Sequence, residues 1–399
     1  MRRADRVERL EKYLEIDPNN EALLHDLANA YQEVGQSNKA LELYQRLLKE
    51  SGESSVLLNT IGNVYLSIGE WTQAEKIFEQ ALRIDPEVPE LLFNLAYAKF
   101  SGGDAASARK HFARLVEISP NESRFQYYLG LACEDLNDAA GAKKAFDATL
   151  KIDPDHPGAL LFLAMQELEN GRLKEARERA EQILRKNPRS IDALVLKAQV
   201  AMLDFEADKA LSILRQAQSN AQNNAYISTL LGQTLLMLQR ITQARRELES
   251  SVLLDPESTQ AYISLGWATA LQDDVTASES AFQNALKLDP QDPDAHSGLA
   301  LIRLAQGNNA EAQRELDQAL KLDENNLPGL LLKVTIKEQE AHDSSQKMLR
   351  ELFDTYTFGP FGWSYRTTME KFGQSVTGKK VLGKIIRRAR MKGRYPTVH

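Results

Sequence analysis

Apolar positions recur along this chain with two nested periods. Locally they fall three and four residues apart, the spacing that lines one face of an α-helix. The whole arrangement then repeats every 34 residues. Asp-Pro or a close variant marks the repeat at Asp17-Pro18, Asp85-Pro86, Ser119-Pro120, Asp153-Pro154, Asn187-Pro188, Asp255-Pro256 and Asp289-Pro290, always 34 or 68 residues apart. Taking the third residue after each proline as position one gives windows opening at Glu21, Ser55, Pro89, Ser123, Pro157, Ile191, Ala225, Thr259 and Pro293. These nine windows join without gaps, and self-similarity at a fixed period of this size signals a repeat architecture.

Each window carries the same chemistry at the same places. Position seven is apolar except at Lys197, and position eight is always Ala or Gly, from Ala28 and Gly62 to Gly266 and Ala300. Position twenty is Ala in every window but one, where it is Ser278. Position twenty-four is bulky (Tyr44, Phe78, Phe112, Phe146, Leu214, Leu248, Phe282, Leu316) with Ala180 the exception. Positions four, seven and eleven make one helical face, and positions twenty, twenty-four, twenty-seven and twenty-eight make a second. Gly35, Gly69, Gly103, Gly171 and Gly307 punctuate the turn between them. Proline at position thirty-two ends the second helix, because the residue before a proline disfavours the helical region. Small residues at eight and twenty let two backbones approach, and the large side chain at twenty-four fills the space left.

This pattern resembles the tetratricopeptide repeat family, over Glu21 to Asn326. The resemblance implies an all-α, right-handed superhelical solenoid of tandem helix-turn-helix repeats. Lys197 and Gln222, which replaces the terminal proline of the sixth window, depart from it. Four regions are expected: residues 1–20 as an N-terminal half-repeat or cap helix, 21–326 as nine repeats, 327–355 as a degenerate tenth repeat or cap, and 356–399 as an aromatic loop and basic tail. In the half-repeat, Leu10 and Tyr13 read as inward-facing. In the tenth, Leu330 holds the bulky slot while Gln346 and Arg350 interrupt the second helix. Atypical terminal repeats are expected where one face meets water; the unpaired first helix also leaves self-association open.

The resemblance further implies that positions two, five, nine, twelve and thirteen face a concave groove. The groove then holds Phe93, Tyr97 and Phe100; Arg124, Tyr127 and Leu131; Leu161, Met165 and Leu168; Val195, Gln199 and Met202; Tyr226, Gln233, Leu236 and Met237; and Ile263, Trp267 and Leu271. The first two windows contribute the more polar His25, Asn29, Asn59 and Asn63. Aromatics and Met supply contact area and adaptability at recognition surfaces. The expectation is a non-catalytic scaffold or adaptor that holds an apolar or amphipathic segment of another protein. Packing between neighbouring first helices competes for these side chains, most evenly at Leu161, Leu168 and Val195. Some members of the family grip a C-terminal carboxylate with lysines beside asparagines, and those lysines are missing here.

Charge adds a tail to the picture. From Tyr356 to His399 the chain has ten Lys and Arg and a single acid, Glu370, a net of +9, while the remaining residues carry a net of −16. Lys379 to Met391 has helical spacing, with Lys380, Lys384, Arg387 and Arg388 on one side and Val381, Leu382, Ile385 and Ile386 on the other. Gly383 weakens that helix. Lys379, Arg390, Lys392 and Arg394 extend the basic stretch. Four readings stand: a solvated end beside an aromatic cap, a helix on anionic lipid, contacts to nucleic-acid phosphates, or a segment folded back on the acidic repeats. In the lipid and nucleic-acid readings the tail makes the chain an anchor for its cargo.

Reactive chemistry is absent from the pattern. The six histidines lie far apart and no metal-ligand spacing occurs. No nucleophile elbow, zinc-binding helix motif or phosphate-cradling glycine loop is present. Neither a catalytic centre nor a cofactor is therefore expected. The lone Cys133 falls on packed position eleven and reads as a buried thiol. No apolar run reaches the roughly 18 residues of a membrane span, and the charged N-terminus lacks a signal-peptide core, so a cytoplasmic location is expected.

Overall fold

The computed structural model describes residues 3–326, 328–330, 332–333, 357–358 and 363–364. Each 34-residue window forms two antiparallel helices. The first helices are α2 (Glu21–Glu33), α4 (Ser55–Ser67), α6 (Pro89–Ser101), α8 (Ser123–Asp135), α10 (Pro157–Glu169), α12 (Ile191–Leu203), α14 (Ala225–Met237), α16 (Thr259–Leu271) and α18 (Pro293–Ala305). The second helices are α3 (Ser37–Ser51), α5 (Trp71–Ile84), α7 (Ala105–Ile118), α9 (Ala139–Ile152), α11 (Leu173–Lys186), α13 (Ala207–Asn220), α15 (Ile241–Leu254), α17 (Val275–Leu288) and α19 (Asn309–Leu322). They follow a half-repeat helix, α1 (Arg3–Ile16). The chain divides into two units, Met1–Leu160 and Leu161–His399. The repeats of each form an all-α stack of tandem helix pairs.

The helix ends are built by side chains the sequence supplies. Asn20, Ser54, Ser190, Asn224, Ser258 and Asp292 each accept a hydrogen bond from a backbone N–H three residues on. Such caps satisfy otherwise orphaned donors and contribute about 1 kcal/mol each. Position fifteen takes a left-handed backbone in all nine repeats. Five are the glycines expected, with φ between +71° and +88°; Asn137, Phe205, Gln239 and Asp273 adopt the same conformation with φ between +57° and +65°. The reason is a hydrogen bond from the next amide back to the carbonyl at position eleven, 2.8 Å for Gln36 to Tyr31 and 3.1 Å for Asp274 to Thr269. That bond closes the helix terminus only if the intervening residue is left-handed.

Between the helices sits one repeated contact. Tyr44, Phe78, Phe112, Phe146, Leu214, Leu248 and Phe282 are fully buried, and so is every residue at position twenty. A Cβ on Gly62 would lie 2.5 Å from the Phe78 ring, and one on Gly130 or Gly266 would lie 2.7 Å from Phe146 or Phe282. The ring occupies the notch that the missing methyl leaves. Polar intrusions are compensated. Ser278 donates to the Gly266 carbonyl at 2.8 Å, Lys197 pairs with Glu181 at 3.0 Å, and the buried Glu167 receives Arg179 Nε at 2.9 Å.

At the N-terminal end, Val7 and Leu10 are buried against the first repeat. Tyr13, expected to face inward, is 48% exposed. Arg6 stands where every full repeat has a small residue, and it reaches Glu33 at 2.8 Å. At the other end Asn326 is buried, donates from Nδ2 to Asp294 and accepts from Ser297 and the Gly329 amide. Leu330 is buried. Gln346, Arg350 and the basic tail lie outside the described residues. Within the aromatic loop, Thr357–Phe358 pairs antiparallel with Trp363–Ser364.

Two substitutions separate backbone from packing. Gly103 has φ +88° and nothing within 4 Å of a Cβ, so Gly103→Ala should cost only the left-handed penalty, about 1–2 kcal/mol. Phe282→Ala empties the notch and should cost about 3–5 kcal/mol. Guanidinium unfolding followed by circular dichroism measures both; a neutral Gly103→Ala would contradict the turn argument.

Candidate interaction surface on the first helices

In the first unit the first-helix face changes character along the chain. Its early part is polar and tied to the core. The Tyr44 hydroxyl, rooted in the notch, lies 2.5 Å from Asn29 Oδ1 and 3.1 Å from Gln32 Oε1. Burial pushes its pKa up to about 12, so it stays a donor. Asn29 Nδ2 in turn lies 3.1 Å from His25 Nδ1, and Asn94 Nδ2 donates to Asn59 Oδ1 at 2.8 Å.

The later part is an aromatic cluster. Tyr97 meets Tyr128 edge-on at 5.6 Å and stacks along Phe93 at 6.3 Å. The Arg124 guanidinium sits 4.2 Å over the Phe93 ring and is held there by Glu90 at 2.9 Å. A cation over an aromatic face is favourable, and the carboxylate fixes its orientation. Tyr127 packs on Phe146 and lies 4.4 Å from the His156 ring. Gly158 is required beneath it, because a Cβ there would overlap the phenol. Tyr97, Phe100, Tyr127 and Leu131 keep part of their surface open.

In the second unit two neighbouring first helices are free of charge. Neither α14 nor α16 contains an Asp, Glu, Lys or Arg. Their outer partners do: α15 holds Arg245, Arg246, Glu247 and Glu249, and α17 holds Glu279 and Lys287. Met165 and Tyr226 are 49% and 53% exposed, while Met202, Leu236, Met237, Trp267 and Leu271 are half-buried. Trp267 leans edge-on against Phe282 at 5.4 Å. Gln199 donates to the Tyr226 hydroxyl at 2.9 Å, and Gln233 to Ser264 at 3.0 Å. Both glutamines thus bridge to the following repeat, a role the sequence reading missed.

Two expected groove residues are placed elsewhere. Phe93 is 7% exposed and Ile263 3%. Their side chains meet neighbouring residues instead of solvent: Phe93 touches Phe112, Phe125 and Tyr128, and Ile263 joins the cluster around Phe282 and Leu299. Leu168 and Val195 are buried too. These residues support the face without forming it. Cys133 is a buried free thiol whose pKa burial pushes up. Among the described residues no group of His, Cys, Asp and Glu is arranged to hold a metal ion, and no helix is long and apolar enough to cross a membrane.

Family models described as tetratricopeptide repeat match residues 65–130, 135–200 and 270–331, residues 19–87, and residues 229–293. The chain belongs to the tetratricopeptide repeat family. Repeats of this family generally act as non-catalytic protein-interaction scaffolds. Comparison with curated proteins gives no match. Among solved structures, human IFIT1, solved as a dimer with m7Gppp-AAAA, is 17% identical, with 98% of this chain and 95% of that chain covered and a TM-score of 0.53. This likeness extends over nearly the whole tetratricopeptide chain and concerns its fold alone. YrrB, titled a TPR protein with an unusual peptide-binding site, is 19% identical over 48% of this chain and 99% of its own, with a TM-score of 0.37. MamA is 18% identical over 40% and 94%, with a TM-score of 0.36.

Histidines give these repeats opposing pH responses. His156 caps α10 by accepting the Ala159 N–H at 3.3 Å, which needs a neutral ring, and burial lowers its pKa below 6.5. Its stabilisation is present above that unfolded value and is lost as pH falls through the folded one. His296 lies between Glu315 at 2.6 Å and the Pro290 carbonyl at 3.1 Å, and its pKa is raised, chiefly by the Glu315 hydrogen bond. Its contribution is present below 6.5 and is lost as pH rises through the folded value. His156→Asn should flatten the fall of Tm on the acid side, and His296→Gln the fall on the alkaline side. Thermal unfolding across pH 5 to 8, the range where histidine charge changes, tests both signs.

Proposed function

We propose that this protein is a non-catalytic adaptor whose first-helix faces hold an apolar or amphipathic segment of another protein. The observation that carries this reading is the absence of charge from α14 and α16 beside half-open Met237, Trp267 and Leu271. A solvent-facing helix ordinarily carries polar residues opposite its buried stripe. Here the outward stripe is apolar as well, and that is the surface composition of a recognition site. Met202 and Met237 add unbranched side chains that adapt to a partner's shape. Affinity comes from burying the partner's side chains against Trp267, Met237 and Leu271, with the Tyr97–Tyr127 face of the first unit as a second surface of the same kind.

The test is affinity capture from native extract with the intact chain and with a Met237→Arg, Trp267→Ala variant. Charge on the strip and loss of its tryptophan should remove the captured proteins, with far-UV circular dichroism unchanged. Tyr97→Ala tests the first unit in the same assay. An unchanged captured set for both variants rejects the reading.

A further inference from the structure

At the N-terminal ends of its helices the strip is bordered by acids alone, whereas the turns at the other ends mix Arg240 with Asp273 and Asp274. The loops that enter α16, α18 and the segment after Asn326 carry Asp255, Glu257, Asp289, Asp292, Asp323 and Glu324, and no Lys or Arg. Their carboxylates are exposed or half-exposed. Four of the six are engaged by backbone amides: Glu257 donates to Asp255, Gln291 to Asp289, Ala295 to Asp292 and Asn325 to Asp323. Among the described residues, none of the six forms an ion pair with Lys or Arg. His296, on α18, is turned to Glu315. The other inter-repeat loops of this unit, Asn187–Ser190 and Ala221–Asn224, hold no acid.

This row runs along the N-terminal ends of the first helices. The open apolar side chains Leu236, Met237, Trp267, Leu271, Leu301 and Leu304 lie on those same helices, and α14, α16 and α18 stand side by side. An apolar strip with an acidic border calls for a complementary occupant: one apolar face and one row of bases. The chain contains such a segment. Val381, Leu382, Ile385 and Ile386 fall on one side of the helical pattern from Lys379 to Met391, and Lys380, Lys384, Arg387 and Arg388 on the other. The residues between Lys333 and Lys379 give ample reach, up to about 150 Å extended. Attachment in one chain raises the local concentration to about the millimolar range.

We infer that the 379–391 segment docks across α14, α16 and α18 of its own chain, its aliphatic side on the strip and its bases along the acidic loops. The inference rests on the adaptor reading for the strip, and adds regulation: the tail covers the site, and a partner must displace it. A competitor tethered in this way lowers the partner's apparent affinity by the fraction of time the site is covered.

Zero-length carbodiimide cross-linking of the full chain at micromolar concentration, with links mapped by mass spectrometry, tests it without any partner. Lys379, Lys380 and Lys384 should link to the six carboxylates of the three loops. Leu382→Glu with Ile386→Glu keeps every lysine and should reduce those links about tenfold or more, as the loss of two buried aliphatics requires. Links that persist in this variant, or that spread over carboxylates of both units, overturn the docking and leave the tail to an external anionic surface such as lipid or nucleic acid. In an equal mixture of isotope-labelled and unlabelled chains, links should stay within one isotope; mixed links place the segment on a second copy and also overturn it. Failure here with capture still sensitive to Met237→Arg, Trp267→Ala removes only the regulation. Failure of both removes the strip as a site.

Discussion

The structure depends on a large side chain seated in a notch left by a small one. At position twenty-four a ring or Leu enters between two helices whose facing positions, eight and twenty, are Ala, Gly or Ser. Phe282 shows the economy of the device. Its ring closes on Gly266 within its own repeat and on Gly298 of the next. One side chain therefore sets both the spacing within a helix pair and the seating of the following pair. Interiors are packed at crystal-like density, so these positions tolerate little change in volume. Stability in such an array is local, a sum of repeat and neighbour terms, and each wedge is a fixed point in that sum.

The turns obey a second constraint. A left-handed residue at position fifteen lets the next amide reach the carbonyl of position eleven in all nine repeats. Glycine does this without steric cost. Phe205 does it against its own preference, at roughly 1–2 kcal/mol. The closed hydrogen bond and the packing of the helices on either side determine its backbone. The conformation belongs to the repeat, and the residue adapts.

These two constraints explain what was legible in the sequence. The period, the helix pairs, the wedge and the buried Cys133 follow from spacing and side-chain size, and the helices begin and end at equivalent positions in every window. The glycine turns were legible only where glycine stood. Asn137, Phe205, Gln239 and Asp273 give no compositional sign, because tertiary closure sets their φ. The groove assignment failed at Phe93 and Ile263 for a related reason. Residues of the following repeat, Phe125 and Tyr128 against Phe93 and Leu299 beside Ile263, cover them from more than thirty positions away, beyond the range of any local period. Tyr13 failed in the opposite sense. Its spacing is that of the inner face, yet nearly half of its surface is open.

Repeats of one fold bear different faces. Asn29, Gln32, Glu33, Asn63 and Ser67 occupy in the first two repeats the positions nine, twelve and thirteen that Tyr97, Leu131, Met202, Met237, Trp267 and Leu271 occupy further on. The wedge, the caps and the turns are alike in both sets, so the fold admits either chemistry at these positions. Open apolar side chains give the helix pair nothing that a polar residue would not, and they cost solubility. Their concentration on α14 and α16, next to outer helices that keep their charges, therefore points to an occupant of the same polarity. The acidic loops at one edge narrow that choice, since a wholly apolar partner gains nothing from them and a basic amphipathic one gains along its whole length.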